Sequence, residues 1–214
     1  MEEAMNKKRA RDAAGIGSRQ TRMICTEFNT REDGDNPLIE GYFAVFNSNY
    51  DLTPDMSESI APHAFAETLS GDIRALINHD TTLVLGRTKA GTLQLREDER
   101  GLWGRVTINP NDGDALNLYE RVKRGDVDQC SIGFDIVEEK TDFRDDGSVH
   151  WTIEKVNLWE VSCCTFPAYK ETSISARAEQ RDEIKRRELM AWKEKQKERL
   201  NHGTEGPDAP EASE

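Results

Sequence analysis

Between Met23 and Ala176 apolar residues recur at every second position in short runs, broken by clusters of Asp, Asn, Gly and Pro. A period of two marks half-buried β-strands. This pattern predicts strands over Gly41–Phe46, Ile73–His79, Thr82–Leu85, Gly91–Glu97, Leu102–Asn109, Gln129–Lys140 and Val149–Thr165. Glu97 to Gly101 and Asp145-Asp146-Gly147-Ser148 read as hairpin turns. Two segments carry a helical period instead. Pro62–Leu69 starts on a proline suited to a first turn, and Asp114–Lys123 places Leu118, Tyr119 and Val122 on one stripe before Gly125. Asp112 or Asp114 caps the second helix. The polar stretch from Asn47 to Ser59 reads as a loop. Many antiparallel strands with two inserted helices make an α+β fold, with a mostly antiparallel, barrel-like sheet.

The pattern fades at both ends. Residues 1–21 are polar and basic and read as a disordered arm, leaving 22–176 as the folded domain. Residues 177–202 read as a highly charged helical tail whose apolar stripe is thin: Ile184, Leu189, Trp192 and Leu200. Residues 203–214, rich in Pro, Gly and acid, read as a disordered acidic tail.

Charge narrows the partners. The net charge is −12, and the excess of acid lies in the middle of the chain, so a nucleic-acid partner is not expected. No apolar run is long enough to span a membrane. The four cysteines, Cys25, Cys130, Cys163 and Cys164, have no C-x-x-C spacing, and adjacent Cys163 and Cys164 point to opposite faces of a strand. Reduced, mostly buried thiols are the expectation, with no metal site and no cofactor.

Three residues carry candidate chemistry: Ser131 in Cys130-Ser131-Ile132-Gly133-Phe134, His79 at a strand end, and Glu160 in Leu158-Trp159-Glu160-Val161-Ser162. Centring the hairpin on Asp146-Gly147 sets Ser131 opposite Ser162 and Gly133 opposite Glu160. Ser131 and Glu160 are then diagonal neighbours on one sheet face, about 5–8 Å apart. Parity sends Ile132, Phe134, Trp159 and Val161 to the core face, and Cys130 with them. His79 would take the serine proton while Glu160 orients the imidazole, with Asp80 as an alternative acid. Backbone amides near Ser131, Arg87 or Arg105 are the options for an oxyanion hole.

Seven motifs in order over residues 22–176 resemble the tailed-phage prohead protease family found with HK97-type capsids: Gly41 to Phe46; Ile60-Ala61-Pro62-His63-Ala64-Phe65; Leu76-Ile77-Asn78-His79-Asp80; Leu85-Gly86; Gly101-Leu102-Trp103; Ser131-Ile132-Gly133-Phe134; and Leu158 to Ser162 running on to Phe166-Pro167-Ala168. The resemblance implies a fold similar to herpesvirus assemblin, a β-barrel ringed by helices. It implies a serine endopeptidase with His79, Ser131 and Glu160 as catalytic residues. It also implies action in the host cytoplasm, inside the assembling prohead, on scaffold or the scaffolding segment of the major capsid protein, and on the enzyme itself. Self-association is a further option. An inactive scaffold-core or capsid assembly protein of the same fold is the alternative. The resemblance also sets His63 where many relatives carry glycine, which implies that His63 is incidental.

Overall fold

Alternation along the chain resolves into two hydrogen-bonded sheets in the computed structural model, which describes residues 19–25, 28–33, 36–166 and 170–202. The larger sheet is built on one long hairpin, β10 (Gln129–Phe143) and β11 (Val149–Cys164). On the outer side of β10 lies β1 (Arg19–Cys25). On the outer side of β11 lie two short strands in succession, both parallel to it. These are β5 (Met56–Ile60) against its first half and β6 (Arg74–Ile77) against its second. The sheet continues to β4 (Tyr50–Thr53) beyond β5, and to β7 (Asp80–Arg87) beyond β6. The smaller sheet runs β2 (Asn29–Asp33), β3 (Asn36–Val45), β9 (Gly101–Thr107), β8 (Leu93–Glu97).

The α+β class therefore holds, but the described strands do not close into a barrel. Alternation reports which face of a strand is buried; it carries no information on which edges meet. One large apolar cluster holds residues of both sheets, including Phe43, Leu102, Ile132, Phe134 and Val161, all completely buried.

Four expectations change. The polar loop read from Asn47 to Ser59 contains β4 and β5. Every residue of β5 is buried, and its polar side chains are matched: Ser57 and Ser59 bond the two ring nitrogens of His150 at 2.8 and 2.9 Å, and Glu58 meets Arg177. Satisfied polar groups can be buried, so polarity misled. Pro62–Leu69 forms successive hydrogen-bonded turns rather than an α-helix. His63 there has φ +69°, a left-handed conformation that breaks the helical run. The stretch 1–21 expected as an arm reaches β1, which begins at Arg19; residues 1–18, like 203–214, lie outside the described residues. Finally, the C-terminal helix starts before residue 177.

The first helix, α1 (Gly113–Arg124), is as expected. Asp112 caps it by accepting from the amides of Asp114 and Ala115, and Gly125 ends it at φ +85°. The second, α2 (Lys170–His202), docks by its first described turns only. Arg177 is 3% exposed; it pairs with Glu58 at 3.2 Å and Glu139 at 2.7 Å and lies over the Trp151 ring. Gln180 bonds both Arg177 and Glu139. Beneath them Leu52, Met56, Val149 and Trp151 form a small second core, with Ala178 packed against it. Farther along α2, Leu189, Met190 and Trp192 are exposed.

Candidate active site

His79 does not end a strand. β6 stops at Ile77, pairs with Asp80 of β7, and the connection is the two residues Asn78 and His79, at φ +50° and +62°. Two-residue hairpin loops with positive φ at both positions match the right-handed strand twist, and Asn tolerates that region well. His79 is held there by its neighbours. Because β6 runs parallel to β11 with Ile77 beside Cys163, the turn abuts the end of β11. The Asn78 amide donates to the Cys163 carbonyl at 3.0 Å, the Thr165 amide to Asn78 Oδ1 at 2.9 Å, and the His79 amide to Ser162 Oγ at 3.2 Å. These bonds anchor a left-handed histidine whose ring folds back over the sheet.

The ring meets Glu160. His79 Nδ1 lies 2.6 Å from Glu160 Oε1, and Glu160 is 5% exposed. Ser162 Oγ donates to the other carboxylate oxygen, Oε2, at 2.6 Å. The register is the one read from the sequence at this end of the hairpin: Ser131 opposite Ser162, Gly133 opposite Glu160. Gly133 makes the carboxylate's place. A Cβ there would sit 2.3 Å from Glu160 Oε1. Ser131 is completely buried two residues along the same face.

Parity fails one residue away. A register shift between Gly133 and Phe134 pairs Phe134 with Leu158, so Leu158 goes into the core and Trp159 is turned out, 43% exposed. A bulge lets Glu160 face the site without its neighbour facing the core. Cys130 is in the core as expected, its thiol against the Tyr42 and Phe43 carbonyls. The alternative acid, Asp80, is exposed and turned to Thr82. Arg87 is bound to Asp72 and Arg105 to Glu40.

The electrostatics follow from this packing. Burial alone would lower the pKa of His79, but the Cys164 thiol beside the ring and the Glu160 carboxylate outweigh it and raise it to about 10. His79 Nε2 is buried and meets no hydrogen-bond partner of normal geometry among the described residues; the same holds for Gln129 Oε1. Ser162 and Cys164 were not singled out in the sequence as site residues. Their signal was parity, since 160, 162 and 164 share one face of β11. Among the described residues no three His, Cys, Asp or Glu side chains converge to hold a metal ion.

The family model of the caudovirus prohead serine protease matches residues 26–187. The prohead protease of Enterobacteria phage HK97 is 32% identical over 155 residues, which cover 71% of this chain and 64% of that protein. The matched region thus spans somewhat less than two thirds of that relative. The bacteriophage T4 capsid assembly protease has a solved structure that aligns with a TM-score of 0.44 at 12% identity, covering 71% of this chain and 100% of that one. The chain belongs to the caudovirus prohead serine protease family.

Proposed function

We propose that this chain is a serine endopeptidase of phage prohead maturation, with Ser131 as nucleophile, His79 as general base and Glu160 as the group that orients the base. The observation that carries the reading is the 2.6 Å contact of His79 Nδ1 with a buried carboxylate on the sheet face that also bears Ser131. With Nδ1–H donating to Glu160, Nε2 is the atom left to receive a proton. Ser131 Oγ would attack the peptide carbonyl as its proton passes to Nε2. That proton then goes to the leaving amine, and water releases the acyl group by the same route. His79 must be neutral to begin, and a pKa near 10 keeps it charged at neutral pH. Ser131 has no exposed surface. On this reading cleavage rises with pH as His79 loses its proton, and the side chains over Ser131 give way to an entering acyl group.

Family membership and the name of the HK97 relative support a substrate inside the prohead, and we take this to be capsid or scaffold protein, with the chain itself as a second one. The test is mass spectrometry of proheads assembled with the parent chain and with Ser131→Ala. Processing present in the first and absent in the second is the expected result. Normal processing by Ser131→Ala would remove Ser131 as nucleophile, and would leave the inactive assembly protein as the better reading.

A further inference from the structure

We infer that Ser162 is a positioning residue of this site, acting through Glu160; the inference rests on the triad reading above. Ser162 is completely buried, two residues beyond Glu160 on the same face of β11. Its Oγ accepts from the His79 backbone amide at 3.2 Å and donates to Glu160 Oε2 at 2.6 Å. The amide can only donate, so the hydroxyl proton is left for the carboxylate. The short distance is that of a charge-assisted bond. One hydroxyl therefore fixes both members of the pair: the backbone that carries the imidazole, and the carboxylate oxygen the imidazole does not use.

The other contacts show why the carboxylate needs it. Oε1 is committed to His79 Nδ1 and lies against Gly133, 2.3 Å from where a Cβ would stand. Without Ser162, Oε2 would be a buried carboxylate oxygen that has lost its 2.6 Å hydroxyl donor. Such a group rotates toward a new donor, and that loosens the hold on Nδ1. Asp80 cannot substitute, being turned to Thr82.

The full-length chain is treated with a fluorophosphonate, and the rate of adduct formation on Ser131 is followed by mass spectrometry. Ser162→Ala is expected to slow labelling about tenfold or more, while Ser162→Thr, which keeps the hydroxyl, restores most of the rate. In a Glu160→Gln background Ser162→Ala is expected to cost several-fold less than in the parent, because the part of its effect that runs through the carboxylate is already lost and only the hold on the His79 amide remains. A merely structural serine would cost the same in both backgrounds. Should Ser162→Ala fail to fold, Ser162→Cys keeps the volume with a weak donor and is expected to show the same slow, non-additive behaviour. Labelling at the parent rate in the Ala or Cys variant, or equal losses in both backgrounds, would overturn the role of Ser162 alone. No labelling of Ser131 in the parent chain would remove the triad reading, and this inference with it.

Discussion

Two buried polar clusters hang on the same hairpin, one at each end, and they are built to opposite rules. At the tip end, Arg177 of α2 is matched to Glu58, Glu139 and Gln180 and backed by Trp151. Beside it, neutral His150 is bracketed by Ser57 and Ser59. At the open end, His79 sits at positive φ with its Nε2 buried and without a hydrogen bond of normal geometry among the described residues, the Cys164 thiol lying beside the ring. A cluster whose charged side chains are all paired has no charge left to offer a substrate; it fixes the helix to the sheet. A cluster with strained backbone and an unmatched ring nitrogen is a place where chemistry can be done. The two histidines express the contrast in their proton affinities, His79 raised and His150 lowered.

The comparison can be broken first at the open end. Ser131→Ala should abolish peptide cleavage and leave the melting curve within a few degrees of the parent. Gly133→Ala should come next: its Cβ would displace the Glu160 carboxylate, and cleavage should fall by about a hundredfold or more, read as initial rates on one substrate. At the tip end the same size of change should read out as stability instead. Arg177→Ala strands two buried carboxylates and should cost about 3–5 kcal/mol in denaturant unfolding, with cleavage per folded molecule retained.

The pH response is the smallest and sharpest contrast. His79 binds its proton more tightly folded than unfolded. Its contribution to stability is therefore complete below about pH 6.5 and is lost as pH rises toward about 10. With His79 as the proposed general base, cleavage should rise over that same window. His150 runs the other way: burial, with Arg144 nearby, favours its neutral form in the fold. Its contribution is present above about pH 6.5 and is lost as pH falls through its lowered folded value. A His150→Asn variant should flatten the acid side of the stability curve and leave the alkaline rise of cleavage in place.

Much of this was legible in the chain. The register read from an Asp146-Gly147 turn is one residue off beside the turn, where Phe143 faces Val149, and the bulge between Gly133 and Phe134 brings it back at Ser131 and Gly133; Asp112 and Gly125 bounded α1 as caps should. What escaped has a common cause: it depends on partners distant in sequence. β5 reads as a loop until His150 and Arg177 are seen to satisfy its serines and glutamate. The bulge that turns Trp159 outward leaves no mark in an alternating run. The parallel seating of β6, which carries the Asn78-His79 turn to the end of β11, is a tertiary choice that periodicity does not encode. His79, Ser131 and Glu160 could be named as candidates; the hydroxyl of Ser162 that joins two of them could not.

The central claim is that His79, held by Glu160, activates Ser131. Its most direct measurement is the site and rate of covalent modification of the intact chain by a fluorophosphonate, with His79→Ala alongside. The account predicts one adduct, on Ser131, rising with pH and lost in the His79 variant. An adduct on another residue, or equal modification of Ser131 without His79, would contradict it.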